Sequence, residues 1–303
     1  MHGRLIRLIL APVVLALASV GLIAGPTAAI TGLNLAPDNE HTYVGLIAFY
    51  DTNGDFVHRC TGTLLSDQVF LTAGHCVTLD DNGTPAASAR IWFEQDAGAD
   101  YDPATGTPAS SGYPDSGGVQ AFQFFNPGFR GLTVPNTHDV GLVVLAPGAL
   151  AAAYPELAGA DAPRGQLAPV GTSEQVGTGQ DAVVDVSGYG VSRQVGKNAL
   201  HVVSYRSRLG GSTFIINNHN SYTAGYNLQL ASSFGNGRVG TCFGDSGGPT
   251  FVGGTNVILA VNSFVKNYSC GGQGFVFRTD TAEVQSWMQS VLGPLGLWDE
   301  IAP

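Results

Sequence analysis

Lysine is nearly missing from this chain: Lys197 and Lys266 are the two in 303 residues, and only 12% of the sequence is charged. Acidic residues outnumber basic ones 23 to 13. So few cations give a phosphate backbone or an anionic bilayer little to hold, so neither nucleic acid nor a membrane surface is an expected partner. Cysteine is sparse too. Cys60, Cys76, Cys242 and Cys270 show no Cys-x-x-Cys spacing, which argues against a zinc site, and no metal or cofactor is expected. Regular alternation of strands with helices is absent, which speaks against a parallel α/β sheet. The longest apolar run, residues 8–23, is interrupted by Pro12 and Gly21. It falls short of the roughly 20 apolar residues that a spanning helix takes.

That run comes after Arg4 and Arg7 and precedes the small residues Gly25-Pro26-Thr27-Ala28-Ala29. It reads as the apolar part of a signal peptide over residues 1–29, cleaved on export. The mature chain from Ile30 onward is expected to be secreted and extracellular, free of the membrane, with a net charge near −12 once Arg4 and Arg7 are gone. Four cysteines in an exported chain imply two disulfides in an oxidising compartment, and the sequence alone allows three pairings.

The periodicity that is present belongs to strands. Segments 43–49, 62–65, 69–72, 89–93 and 140–145 are rich in β-formers and bounded by Gly, Asp, Asn or Pro. Segments 182–189, 214–216, 249–252, 256–261 and 275–277 repeat the style. Two clusters of short strands predict two antiparallel barrels or sandwiches. The Ala-, Pro- and Gly-rich stretch 146–169 separates them, and 96–118 reads as a surface loop. The division is therefore 30–150, 151–280, a closing helix over 281–293, and a tail over 294–303. Asp280 is the expected N-cap with Glu283 three residues on, and Val284, Trp287, Met288, Val291 and Leu292 share one apolar face. Gly293-Pro294 stops the helix.

Three short stretches carry chemistry. A serine hydroxyl is a poor nucleophile at neutral pH; it needs an imidazole to take its proton and an acceptor to orient that imidazole. Gly244-Asp245-Ser246-Gly247-Gly248-Pro249 sets a serine among glycines that permit a tight, exposed turn, although alone it reads as an ordinary turn. Thr72-Ala73-Gly74-His75-Cys76 puts a histidine at the end of an apolar strand, and His138-Asp139 precedes another. His41, His58, His138, His201 and His219 lack such a setting and read as surface or hydrogen-bonding residues.

In this order the three stretches resemble the trypsin/chymotrypsin family of serine proteases, and in particular the secreted trypsin-like proteases of bacteria. The resemblance spans nearly all of the chain after residue 30. It implies an all-β fold of two antiparallel six-stranded β-barrels with a C-terminal α-helix. It makes His75 the general base, Asp139 its orienting acid and Ser246 the nucleophile, with the N–H groups of Gly244 and Ser246 as the oxyanion hole. It pairs Cys60 with Cys76 and Cys242 with Cys270. Asn262-Ser263-Phe264-Val265 becomes the strand that receives substrate backbone, and Ile30 becomes a new N-terminus whose α-amino group pairs with Asp245. Gly240 stands where trypsins carry the aspartate that selects Arg and Lys. With Thr241, Val265 and Gly274 it implies uncharged P1 side chains of small to medium size.

The implied partners are protein or peptide substrates, and the chain is expected to act as a monomer. Two other readings stay open. A protease-like binding protein would ordinarily have lost one of the three residues, and all are present. An α/β-hydrolase esterase runs serine, acid, histidine along the chain, whereas here the order is His75, Asp139, Ser246.

Overall fold

In a computed structural model of the chain, residues 30–32, 36–191, 206–232 and 238–303 are described. The expected signal peptide, Lys197 and His201 lie outside the described residues. Two short strands open the chain, β1 (Thr31–Gly32) and β2 (Ala36–Pro37), and six longer ones come next. These are β3 (Val44–Tyr50), β4 (Phe56–Leu64), β5 (Val69–Thr72), β6 (Ser88–Trp92), β7 (Val119–Phe125) and β8 (Gly141–Leu145). They close into an antiparallel barrel in the order β3-β4-β5-β8-β7-β6. Every residue of β3 is buried, because one face of the strand fills the barrel and the other is covered from outside.

The separating stretch is partly structured, with α1 (Ala149–Ala153), β9 (Gln166–Leu167) and then α2 (Thr172–Val176). A second group of strands is β10 (Val183–Gly188), β11 (Leu209–Asn217), β12 (Asn227–Ser232), β13 (Val239–Gly240), β14 (Pro249–Val252), β15 (Val257–Val265) and β16 (Gly272–Arg278). Six of them form the second antiparallel barrel, β10-β14-β15-β16-β12-β11, closed by the β10–β11 pair. β1 pairs with β13, β2 extends β11, and β9 joins β15 in parallel. Ile30 is fully buried inside this barrel with Val184, Leu209, Leu230 and Val239.

The barrels share a seam. One apolar cluster runs from Phe49, Phe70 and Trp92 of the first barrel to Phe251, Ile258 and Phe277 of the second. Arg208, 2% exposed, crosses it. Its guanidinium donates to the carbonyls of Asp38 at 2.9 Å, Val44 at 3.1 Å and Phe93 at 2.9 Å, and to the Tyr189 hydroxyl at 2.9 Å.

The closing helix, α3 (Ala282–Leu292), buries Val284, Gln285, Met288 and Leu292, while Trp287 and Val291 lie partly covered on the same cluster. Its cap differs from the expectation. Thr281 Oγ1, and not Asp280, accepts the Val284 N–H. Asp280 is fully buried and already engaged by Arg278 Nε at 2.8 Å and Ser173 N at 2.6 Å. Its carboxylate serves the barrel first, so the adjacent hydroxyl takes the cap. The 96–118 stretch is more than surface: Tyr113 within it is fully buried, its ring centroid 5.1 Å from that of Trp92.

Candidate active site

His75 lies just beyond β5 and Asp139 just before β8, two strands paired with Thr72 opposite Gly141. Two glycines let the ends of these strands close together. A Cβ on Gly74 would meet His138 O at 2.9 Å, and one on Gly141 would meet Ala73 O at 2.5 Å. The result puts Asp139, fully buried, under the imidazole. His75 Nδ1 lies 3.0 Å from both carboxylate oxygens, and the His75 backbone N–H donates to Oδ1 at 2.8 Å. The Ser263 hydroxyl, from the second barrel, donates to Oδ2. With a carboxylate on Nδ1 the ring proton is assigned there, which leaves Nε2 as an acceptor.

Burial works against a charge on Asp139, but the His75 ring and the Ser263 hydroxyl hold its carboxyl below the usual carboxylate range. Burial also disfavours the imidazolium, yet the Asp139 charge and hydrogen bond more than offset it and push the His75 pKa up.

Ser246 reaches the same place from the other barrel. Gly244 has φ +97° and Gly247 φ +79°, values that suit glycine and tighten the turn. Gly247 N donates to Asn262 O at 2.7 Å and Gly248 N to Asp245 O at 2.9 Å, while from the first barrel Thr61 N donates to Ser246 O at 2.8 Å. Thr61 Oγ1 adds a bond to Gly244 O at 2.8 Å. Among the described residues, the N–H groups of Gly244 and Ser246 find no acceptor in the protein. Ser246 and His75 line a cleft of about 180 Å³ together with Thr241, Ser263, Phe264 and Val265. Phe243 and Leu132, 44% and 46% exposed, form its outer walls. A neighbouring hollow of about 310 Å³ extends from the same two residues past Arg59, Asp81 and Phe129.

Of the remaining expected residues, Gly240 and Gly274 do not line this cleft, but Gly240 precedes Thr241 and a Cβ on Gly274 would lie 3.2 Å from Thr241 Oγ1. Val265 pairs with Gly274 across β15 and β16, which settles the register of that segment. The Phe264 ring stacks on Phe275 at 4.7 Å between centroids. Gly240 and Thr241 are buried. A Cβ on Gly240 would lie 2.7 Å from Ser232 Cβ, and one on Gly274 would lie 3.0 Å from Ser232 Oγ. Ser232 therefore joins both glycines, although nothing in the sequence marked it. Leu132, Phe243 and the Ser263–Asp139 bond were equally unmarked: the two side chains come from a loop and a turn, and the bond joins the two barrels, so only the folded chain brings them together.

Asp245 is fully buried and accepts N–H bonds from Cys242 and Gly190, each at 2.8 Å. Burial pushes its pKa up to about 7, against those bonds and the Arg59 charge. Ile30 packs in the barrel core, and Thr31 Oγ1 donates to Gly240 O at 2.9 Å. Disulfides join Cys60 to Cys76 and Cys242 to Cys270, so one ties the His75 turn to β4 and the other ties the Ser246 turn to the connection between β15 and β16.

Comparison with known proteins agrees with this layout. Among solved structures, the chain is similar to one described as HL collagenase. The TM-score is 0.57 at 19% identity, over 89% of this chain and 98% of that one, a likeness of fold. Among curated proteins, CLIP domain-containing serine protease B10 of Anopheles gambiae is 28% identical over 125 residues. That stretch is 38% of this chain and 32% of the relative, so the match spans about a third of the relative's length. A family model described as Trypsin matches residues 30–288, from the buried start of β1 into α3, and the chain belongs to the trypsin family.

Proposed function

We propose that this chain is a secreted serine endopeptidase that cleaves proteins or peptides through an acyl-enzyme. Ser246 Oγ attacks the scissile carbonyl carbon as His75 Nε2 takes its proton, and His75 returns that proton to the leaving amine. Water, activated by the same imidazole, then releases the acyl group and regenerates Ser246. The N–H groups of Gly244 and Ser246 receive the oxyanion, and in related enzymes each such donor is worth about 3–4 kcal/mol in the transition state. No cofactor enters these steps. The observation that carries the reading is the Asp139–His75 pair, bonded through Nδ1 and sharing a cleft with Ser246 of the other barrel.

Substrate backbone adds to β15 at Ser263–Val265. The P1 side chain enters between Gly240, Thr241, Gly274 and Val265, where no described charge awaits Arg or Lys, so small to medium uncharged residues are preferred. Export removes residues 1–29, and the α-amino group of Ile30 then pairs with Asp245. Two disulfides suit the oxidising exterior. Labelling with a fluorophosphonate tests the reading: the secreted protein should label and Ser246→Ala should not. Peptide-library cleavage by the labelled protein reads P1, and a dominant Arg or Lys there would overturn the specificity. Equal labelling of both forms would overturn the mechanism.

A further inference from the structure

Asn262 holds the nucleophile turn with its backbone and its side chain together. From β15 its N–H donates to Gly248 O at 2.8 Å, and its carbonyl accepts the Gly247 N–H at 2.7 Å. The side chain, 2% exposed, reaches further back along the turn, where Nδ2 donates to Asp245 O at 3.2 Å. The direction of the amide is fixed by its partners. Asp245 O can only accept, so the NH₂ end faces it, and on the other side the Thr250 hydroxyl donates to Oδ1 at 3.1 Å from β14. Gly248 leaves room for this contact, since a Cβ there would come 2.9 Å from Asp245 O and 3.1 Å from Asn262 Nδ2.

Asp245 O belongs to the same peptide group as the Ser246 N–H, one of the two donors assigned to the oxyanion. A peptide group is planar and trans, so its C=O and N–H point in opposite directions, and holding the oxygen aims the N–H. A donor on that oxygen also polarises the group and strengthens its N–H as a donor. The other oxyanion peptide is anchored in the same way: Phe243 O, which shares a plane with the Gly244 N–H, accepts the Val191 N–H at 2.8 Å. What differs is the anchor. Val191, and Gly248 with its bond to Asp245 O at 2.9 Å, use backbone N–H groups that any residue except proline supplies. Asn262 adds a side-chain donor, and a substitution can remove that donor alone.

We propose that Asn262 is a positioning residue of the oxyanion hole, its amide holding the Asp245–Ser246 peptide so that the Ser246 N–H points at the developing oxyanion. The next residue, Ser263, donates its hydroxyl to Asp139, so two successive residues of β15 serve the two halves of the machinery, the oxyanion donor and the acid behind His75. This rests on the protease reading above. A wild type that fails to label with a fluorophosphonate would sink that reading and the proposal with it, whereas the variants below test the proposal alone.

The experiment uses the secreted chain as wild type, Asn262→Leu and Thr250→Val. The first variant keeps the branched shape and removes the donor; the second keeps the asparagine and frees its Oδ1 end. Fluorophosphonate labelling carried to completion counts the folded sites, so that rates refer to competent enzyme. Each form is assayed on a small activated ester and on its thiono counterpart, in which sulfur replaces the carbonyl oxygen and accepts hydrogen bonds poorly. A whole oxyanion donor is worth about 10²–10³ in kcat. Asn262→Leu, which leaves the Gly248 bond in place, should lose about tenfold in kcat on the oxygen ester, with KM changed by less than about twofold. The thiono ester should lose less than about threefold, so the preference for oxygen shrinks. Thr250→Val should move that preference the same way by a smaller factor. Equal losses on both esters would make Asn262 a structural residue only and overturn the proposal. A kcat within about twofold of wild type would do the same, as would a loss confined to KM, which would assign Asn262 to substrate. If Asn262→Leu yields no labelled protein, Thr250→Val decides, and an unchanged preference for oxygen overturns the proposal.

Discussion

At the scale of the residue, a carboxylate shut away from water keeps its charge where donors surround it, and Asp139 has the His75 ring, the His75 backbone N–H and the Ser263 hydroxyl. Asp139→Asn should leave the fold intact yet cut kcat by about 10⁴-fold, the loss known for this change in other triads, because Nδ1 then faces a donor in the wrong tautomer. In the unchanged protein, kcat/KM should rise with pH as His75 loses its proton. Its pKa is raised by Asp139, so the midpoint should lie above that of an exposed histidine, and a pH–rate profile reads it directly. Gly240→Asp should fail to create Arg or Lys cleavage in a peptide library. The new Cβ meets Ser232 at 2.7 Å, and overpacking of that kind costs about 1–3 kcal/mol before any charge is gained. His75, Asp139 and Ser246 were legible in the sequence because each sits in a short local pattern of strand end and turn. Ser232 and the Ser263–Asp139 bond were not: Ser232 meets Gly240 and Gly274 only once β12, β13 and β16 come together, and the bond joins residues 124 apart on different barrels.

At the scale of the element, the strands that could be read were those packed with Val, Ile, Leu and Phe. β7 and β12 were missed for opposite reasons. β7 alternates, but it turns Phe122 outward, 64% exposed, where a polar residue would have signalled a surface. β12 is wholly buried yet carries Asn227 and Gln229, which bond to turns outside the strand: Asn227 Nδ2 donates to Pro135 O at 2.6 Å, and Gln229 Oε1 accepts from Asn220 at 2.5 Å. Tertiary context overrides propensity there. The apolar stripe of α3 was plain, whereas its cap was misplaced by one residue because the fate of Asp280 is decided by Arg278 and Ser173. Met288→Ala should cost about 2–5 kcal/mol and Thr281→Ala about 1 kcal/mol in denaturant unfolding. Equal losses would mean that the helix is held by its end and not by its face.

At the scale of the whole molecule, the first barrel and the second meet around buried polar groups as well as apolar ones. Asp38, whose carbonyl serves Arg208, has its carboxyl bonded to the His41 ring at 2.9 Å and to the His41 backbone N–H at 3.0 Å. Burial alone would raise its pKa, but His41 holds it down to about 2. A depressed carboxylate pKa stabilises the fold above the unfolded value, here about 4, and that contribution fades as pH falls from about 4 to about 2. It amounts to about 2 kcal/mol, so His41→Ala should lower Tm at neutral pH and flatten its decline in acid. A decline as steep as before would place the acid sensitivity elsewhere. Thr61 gives the seam its widest consequence. The hydroxyl proposed to attack hangs from one barrel, the imidazole stands on the other, and two bonds from a single threonine stitch the first to the second. A copy whose barrels have begun to part is therefore disarmed before either unravels. For the proposed endopeptidase, opening of the seam therefore costs activity before it costs either barrel its fold.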